Sequence, residues 1–222
     1  MKPLLTLSPT SCYPQIRALL IGTSLCWSAF AWAGAQQQEA LAASVQASMQ
    51  KSISDSASPE PIFSTQEEKL NWLTEMSARL AKRMPDTRDR VEFLKTVYYE
   101  AQRAGLDPQL VLGLIEVESG FRKYAVSSAK ARGFMQVMPF WVTQIGTSDQ
   151  NLFHLRTNLR YGCTILRHYL DIEKGDLYRA LGRYNGSLGR PEYPNMVRGA
   201  WEKKWSFKTH VAQTSVPPLA QR

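Results

Sequence analysis

The sequence predicts an all-α protein, because helical patterns recur along most of its length and no run shows convincing strand alternation. Local signals agree with this class. Thr65 and Asp107 are typical N-cap residues in front of apolar runs, and Gly105 is a typical helix end. Beyond a first helix that follows Thr65, helices are predicted over residues 87–104, 108–119, 135–145, 159–173, 177–184 and 193–205.

The N-terminal residues 1–35 resemble a secretory signal peptide. Lys2 and Arg17 precede an apolar run over residues 18–30, and small residues then offer cleavage after Ala33 or Ala35. A retained membrane anchor is the alternative, but the run is shorter than the roughly 20 residues that a spanning helix needs. We therefore expect export to the periplasm. Cys26 lacks the leucine three positions earlier that lipoprotein signals usually show, so no lipid anchor is expected.

The remaining chain divides by composition. Residues 36–64 are rich in Gln, Ala, Ser and Pro with little apolar period, which predicts a flexible linker. Residues 206–222 contain Pro217-Pro218 and are predicted to be a flexible tail. Trimming both ends leaves about one modest domain with one hydrophobic core.

Two helices open the folded part. A capping box from Thr65 to Glu68 leads into an amphipathic helix, and a second helix ends at Gly105. Their apolar stripes are better explained by core packing than by a cofactor site, so residues 65–105 are predicted to form an N-terminal helical extension. The stripe of the first helix consists of Leu70, Leu73, Met76, Leu80 and Met84.

The helix that begins at Asp107 and Pro108 carries two glutamates of different kinds. At roughly 100° per residue, Glu118 falls near the middle of the apolar stripe, whereas Glu116 points to the opposite side and is expected to be a solvated charge. A carboxyl group on a buried face must find partners or raise its pKa and keep its proton. A raised pKa suits a general acid, while a structural carboxylate satisfied by an Arg or a backbone N–H is the alternative. The stripe comprises Leu110, Val111, Leu114, Ile115 and Val117.

Separate sequence blocks around and after this helix resemble the signature of the soluble-type lytic transglycosylases, over about residues 106–205. The resemblance implies a lysozyme-like transglycosylase domain behind the helical extension. The first block runs through Glu118-Ser119-Gly120-Phe121, Ala125-Val126-Ser127 and Gly133-Phe134-Met135-Gln136-Val137-Met138-Pro139. Asn158, Gly162 and Tyr169 follow, and Ala180-Leu181-Gly182-Arg183-Tyr184-Asn185-Gly186-Ser187 forms the last block.

The resemblance also implies a mechanism with one acid. Glu118 would protonate the glycosidic oxygen between N-acetylmuramic acid and N-acetylglucosamine, and would then take the proton of the muramoyl C6 hydroxyl as a 1,6-anhydro ring closes. Ordinary glycosidases use two carboxyl groups, and the motif blocks contain no second acid near Glu118. The expected substrate-binding residues are Ser127, Gly133, Phe134, Met135, Gln136, Met138, Tyr184, Asn185 and Tyr193, with Arg132 and Arg190 as further groove candidates.

Simpler interpretations of some of these residues remain open. Met135 and Met138 are equally explained as core filler, and Tyr184-Asn185-Gly186 as a helix end with its loop. The chain also departs from the family pattern at Phe134, at Phe140-Trp141 and at Gly186-Ser187. These departures lie where the sugar groove is expected, so they bear on the preferred glycan length or peptide decoration.

Charge and the scarcity of cysteine and histidine bear on partners. The formal charge is +8, and removing Lys2 and Arg17 leaves 8 minus 2, or +6. Scattered basic residues on an exported protein favour attraction to the carboxylates of peptidoglycan over nucleic acid, although an ordinary basic surface explains them equally well. Cys163 would stand alone after cleavage, as a small buried residue, so no internal disulfide is expected. Histidine spacing predicts no metal site, and no cofactor is expected.

Two other classes of function were weighed against a lytic transglycosylase. The same fold supports hydrolytic lysozymes, and a non-catalytic scaffold would hold glycan strands in an envelope machine. The intact acid and its neighbouring motifs argue against the scaffold. A compact domain behind a signal peptide is also consistent with a monomeric enzyme that opens the wall for a secretion or conjugation complex.

Overall fold

A computed structural model describes residues 36–54 and 61–207, and the predicted signal peptide and most of the predicted tail lie outside them. In these residues the protein is helical, with only two isolated bridges besides, which confirms the all-α class. The helices are α1 (Ala43–Ser54), α2 (Gln66–Leu80), α3 (Thr87–Arg103), α4 (Pro108–Ser119), α5 (Phe140–Ile145), α6 (Leu155–Ile172), α7 (Leu177–Asn185) and α8 (Glu192–Ala200), followed by a π-helical turn over Trp201–Trp205.

The helix ends follow from local chemistry. Thr65 caps α2 by accepting a hydrogen bond from the Glu68 N–H, as the capping box predicted. Asp107 caps α4 and accepts from two backbone N–H groups, and α4 ends at Gly120 in the left-handed region with a φ of 58°. The predicted bounds of α4 are therefore confirmed.

The prediction of a helix over 135–145 is wrong in its first half. Residues 133–139 instead form a compact loop, and α5 begins only at Phe140. Arg132 pairs with both Val126 and Val137 in isolated antiparallel bridges. The helix cannot start earlier because Gln136 has a φ of 48° and because Pro139 disfavours helical backbone in the residue before it.

The prediction that 36–64 is a flexible linker is also wrong for its central part. Residues Ala43–Ser54 form α1, which packs against α5 and α6. Val45, Met49 and Ile53 recur every four residues, and the last two are 5% and 4% exposed. This spacing forms an apolar stripe within a polar, low-complexity background, which is why composition alone concealed it.

The core centres on α4, which packs against α3, α8 and the turn Trp201–Trp205. A buried ion pair ties α3 to α6, since the fully buried Glu100 accepts from Arg160 at 2.9 Å and from Arg103 at 2.8 Å. Cys163 of α6 is fully buried nearby, as expected. Leu70 is 66% exposed, in contrast to its predicted place in the apolar stripe of α2, and Trp72 is buried instead.

Candidate active site

Glu118 lies in the last turn of α4, and its residue is 4% exposed. The Tyr193 hydroxyl of α8 donates a hydrogen bond to its Oε1 at 2.5 Å. The other oxygen, Oε2, has no hydrogen-bond partner among the described residues. The position of Oε1 is thus fixed by a hydrogen bond, whereas Oε2 makes none with the described residues.

Burial raises the pKa of Glu118 to about 8, and the hydrogen bond from Tyr193 only partly opposes this rise. The group therefore keeps its proton near neutral pH, which the position of Glu118 in the apolar stripe predicted. Tyr193 is also fully buried, and burial together with the negative charge of ionised Glu118 raises the pKa of Tyr193. Tyr193 therefore remains a hydrogen-bond donor.

Glu116 is not the solvated charge that the helical pattern predicted. Its side chain is only 9% exposed and accepts from Arg83 and Lys204, each at 2.8 Å, and from the Trp205 indole at 2.7 Å. Burial alone would raise the pKa of Glu116, but these hydrogen bonds and cationic charges lower it. Glu116 does face away from Glu118, yet it anchors the end of the described chain, because Lys204 and Trp205 fold back over α4.

The loop after Glu118 is held by Asn158 of α6. Its side-chain oxygen accepts from the Met135 N–H at 2.8 Å, and its nitrogen donates to the carbonyls of Arg132 and Leu152, both at 2.8 Å. Gly133 must be glycine here, since its φ is 76° and a Cβ would lie 2.4 Å from the Asn158 side chain. The side-chain amide of Asn158 therefore stabilises the loop conformation through three hydrogen bonds.

Gln136 and Ser127 both stabilise this loop. The Gln136 side chain is 2% exposed and donates to the carbonyls of Ala125 and Gly133 at 3.1 and 2.9 Å. The Ser127 hydroxyl accepts from the Ala131 N–H at 3.0 Å. Both side chains thus hold the backbone that follows Glu118 in its conformation.

Met135 links the loop to α6 and α7. Its side chain is fully buried against Gly162, and its carbonyl accepts from the Tyr184 hydroxyl at 2.8 Å. Burial first, and then the charge of Glu118, raise the pKa of the fully buried Tyr184. Because Met135 and Tyr184 have no exposed surface, they position the loop in this structure and present no side-chain surface to a ligand.

The other predicted site residues are more dispersed. Phe134 is 4% exposed, contacts Phe93 of α3 at a ring distance of 4.9 Å, and lines a cleft of about 320 Å³. The Asn185 side chain donates to the Ser187 hydroxyl at 3.0 Å, and its own oxygen has no partner among the described residues. Arg132 and Arg190 are exposed.

The sequence analysis missed one residue next to this site, Gln36. Gln36 is 4% exposed and accepts at its Oε1 from the Trp141 indole at 2.9 Å. It also lies 3.5 Å from the N–H of Met138, which is one of the predicted substrate-binding residues and is half-buried. Gln36 stands in a run of polar residues without periodicity, so no pattern marked it.

Within residues 36–54 and 61–207, no helix is long and apolar enough to cross a membrane. The same residues contain no cluster of three or more His, Cys, Asp or Glu side chains that could hold a metal ion.

Comparisons with known proteins agree with the geometry. Residues 95–204 match the family described as "Transglycosylase SLT domain". A membrane-bound lytic murein transglycosylase C of Actinobacillus pleuropneumoniae serotype 5b is 52% identical over 48 residues, which are 22% of this chain and 13% of that protein. The transglycosylase of Enterobacteria phage PRD1 is 29% identical over 103 residues, or 46% of this chain and 38% of that protein.

Among solved structures, an inactive mutant of the lytic transglycosylase Slt from Pseudomonas aeruginosa matches with a TM-score of 0.40 and 24% identity, over 57% of this chain and 24% of that one. The chain thus spans well under half the length of each of these relatives. Its family assignment depends on the matched domain, which contains Glu118, Tyr193 and the loop between α4 and α5. Residues 95–204 are a transglycosylase SLT domain, and this part of the chain belongs to that domain family.

Proposed function

We propose that this protein is a peptidoglycan lytic transglycosylase. It cleaves the β-1,4 bond between N-acetylmuramic acid and N-acetylglucosamine and leaves a 1,6-anhydromuramoyl end. The observation that carries the proposal is the state of Glu118, a buried carboxyl group with a pKa of about 8 and one oxygen that has no hydrogen-bond partner among the described residues. The similarity to a membrane-bound lytic murein transglycosylase C of Actinobacillus pleuropneumoniae supports the same reaction.

Glu118 first acts as the general acid in this mechanism. Its proton passes to the glycosidic oxygen, the bond to the muramoyl C1 breaks, and the N-acetylglucosamine part leaves as an alcohol. The acetamido group of the muramoyl residue stabilises the cationic C1. Tyr193 donates to Oε1 throughout and so keeps the developing carboxylate in place.

Glu118 then acts as the general base. Its carboxylate takes the proton of the muramoyl C6 hydroxyl, whose oxygen bonds to C1 and closes the anhydro ring. The acid is regenerated, and no water is consumed. Among the described residues, no second carboxyl group contributes to the raised pKa of Glu118, which fits a reaction that needs only one.

The loop residues have positioning roles in this proposal. Gln136, Ser127 and Asn158 hold the backbone between α4 and α5 in place, and we assign to this backbone the contacts with the sugar. Asn185 supplies a side-chain oxygen that lacks a partner among the described residues and can accept from a sugar hydroxyl or amide.

We further propose that the protein acts in the bacterial envelope after export through a cleavable signal peptide. The charge pattern of residues 1–35 and the peptidoglycan substrate support this location. The compact domain also suits work at a secretion or conjugation complex. Affinity capture of the exported protein with such a complex would test that setting, and its absence from every envelope complex would refute it.

The decisive test is to digest purified peptidoglycan and identify the new sugar ends by mass spectrometry. A lytic transglycosylase yields anhydromuramoyl ends, whereas a hydrolytic lysozyme yields reducing ends heavier by one water. A binding scaffold yields neither. Glu118→Gln serves as the control, because it keeps the shape of the side chain and removes the acid.

A further inference from the structure

The residues before α1 form a strap, here defined as residues 36–41, that runs from α5 to α7. The Gln144 side chain of α5 donates to the Glu39 carbonyl at 2.9 Å. On the other side, the Glu39 carboxylate lies 3.5 Å from the Arg183 guanidinium of α7. Gln46 of α1 also donates to the Gln144 carbonyl at 2.7 Å. The strap is therefore tied to α5, which follows the loop after Glu118, and to α7, which contacts that loop through Tyr184.

Gln36 is the residue of the strap whose side chain is buried. Only 4% of it is exposed, whereas Gln37, Gln38 and Glu39 are exposed. Its Oε1 accepts from the Trp141 indole at 2.9 Å. Its Nε2 is buried and has no acceptor among the described residues. The buried space around the Gln36 side chain, next to Trp141 and Met138, is here called the slot. Among the described residues, the slot offers hydrogen-bond donors to the carboxamide oxygen and no acceptor to the carboxamide nitrogen.

The slot lies next to the candidate active site. Gln36 Oε1 lies 3.5 Å from the N–H of Met138 in the loop after Glu118, and the Tyr184 hydroxyl holds the same loop by donating to the Met135 carbonyl at 2.8 Å. Burial, and then the charge of Glu118, raises the pKa of Tyr184, so these two side chains lie near each other. The side-chain amide of glutamine is the same functional group as the acetamido substituent of both peptidoglycan sugars. A buried slot lined by the N–H groups of Trp141 and Met138 therefore accepts the oxygen of either one.

We propose that the strap is an intramolecular competitor of the glycan, in which the Gln36 carboxamide occupies a slot that a substrate acetamido group has to take over. The inference rests on the proposed function, because it concerns access to the same site. Only molecules in which the strap has left the slot bind glycan. The apparent Kd is therefore the intrinsic Kd divided by the fraction of such molecules.

The contacts of the strap are weak enough for displacement. An unpaired buried donor such as Gln36 Nε2 destabilises the seated state. The ion pair between Glu39 and Arg183 is long, and the Glu39 side chain is 51% exposed, so water screens it.

The test compares two glutamines of the strap in the full chain. Gln36→Ala empties the slot, and Gln38→Ala, at an exposed position of the same strap, is the matched control. We expect Gln36→Ala to lower the KM for soluble glycan strands about fivefold, the change that corresponds to one lost hydrogen bond, with kcat unchanged. An unchanged or higher KM would overturn the proposal, and so would an equal fall in Gln38→Ala.

A second variant loosens the strap outside the slot. Glu39→Gln removes the charge that faces Arg183 without touching Gln36. We expect its KM to shift in the same direction as that of Gln36→Ala, by a smaller factor. A higher KM in Glu39→Gln would mean that the strap supports glycan binding, which contradicts competition.

A binding measurement separates this inference from the proposed reaction. The probe is the tetramer of N-acetylglucosamine, titrated by calorimetry into Glu118→Gln with and without Gln36→Ala, so that no turnover is needed. We expect about fivefold tighter binding without Gln36. In parallel, the probe should shift the Trp141 indole N–H signal in NMR spectra, assigned with Trp141→Phe. Equal affinities of the two proteins would refute competition by the strap, even if wall lysis proceeds. Tighter binding without Gln36 would support competition, even if anhydro ends are never found.

Discussion

Tyr193 of α8 and Glu118 of α4 share a hydrogen bond of 2.5 Å in which the phenol donates to the carboxyl group. Both residues are almost fully buried, and α4 and α8 pack directly against each other. The bond therefore fixes the direction of the carboxyl group more firmly than a solvated contact could. It leaves Oε2 without a partner among the described residues, and in the proposed mechanism this is the oxygen that exchanges a proton with the substrate.

Tyr193→Phe should reduce kcat by roughly one to two orders of magnitude, because Glu118 loses its orientation while the ring still packs. The Tyr193 hydrogen bond lowers the pKa of Glu118, so its removal raises that pKa further. The alkaline limb of the pH–rate profile should then move to higher pH. Tyr184→Phe is the control, since its hydroxyl bonds to Met135. An alkaline limb that moves equally in both variants would contradict this assignment.

Glu118→Gln should abolish wall lysis almost completely while the protein stays folded, because the amide has no acid proton to give. Turbidity of a peptidoglycan suspension and circular dichroism check the two halves of this expectation. Full lytic activity in Glu118→Gln would show that the reaction uses another acid.

Glu118→Gln should also change the pH dependence of stability. The folded pKa of Glu118 is raised from 4.5 to about 8, so its protonated form favours folding and this contribution is lost as pH rises toward 8. The wild-type protein should lose stability by up to about 1.4 kcal/mol per pH unit in that window relative to Glu118→Gln. Urea unfolding at about pH 5 and about pH 9 measures the difference. Parallel pH curves for the two proteins would mean that Glu118 titrates normally.

Glu116→Gln should destabilise the fold by about 1–3 kcal/mol, because its bonds to Arg83, Lys204 and Trp205 weaken or break. Its pKa is lowered in the fold, so this stabilisation is present at neutral pH and is lost as pH falls through the folded pKa. We expect kcat to remain within about twofold of the wild-type value. Thermal unfolding and single-turnover lysis test both, and a loss of kcat as large as that of Glu118→Gln would place Glu116 in the chemistry.

Gly162→Ala should destabilise the protein by about 1–3 kcal/mol and lower activity. The added Cβ would lie 2.3 Å from Sδ of Met135, which is fully buried and has no space to move into. Gly199→Ala in α8 is the matched control, since its Cβ meets nothing within 4 Å. That change should stabilise the protein by about 0.5–1 kcal/mol. Equal stabilities in urea unfolding would refute the close packing of α6 on the loop.

Much of the fold and the burial of Glu118 could be predicted from the sequence. The Asp107 cap, the Pro108 start and the apolar period of α4 are local signals. They were sufficient to predict that Glu118 is buried and that its pKa is raised. The sequence could also separate the directions of Glu116 and Glu118. It could not show that a distant segment folds back to cover Glu116, because that contact joins residues 88 and 89 positions apart.

The loop from Gly133 to Pro139 and the strap were beyond local reasoning for a similar reason. The loop conformation depends on the Asn158 amide, which comes from another helix and overrides the helical pattern at Met135. Gln36 is buried only because Trp141 offers it an indole N–H more than a hundred positions away. Both depend on tertiary contacts that no periodicity encodes.

The buried pair between Glu100 and Arg160 has a consequence for the predicted boundary at residue 106. A polypeptide that starts there would lack α3, so Arg160, itself 4% exposed, would lose the carboxylate that compensates its burial. We expect such a truncation to be insoluble or protease-sensitive. The smallest autonomous folding unit therefore includes α3, although this helix precedes the sequence motifs that mark the domain.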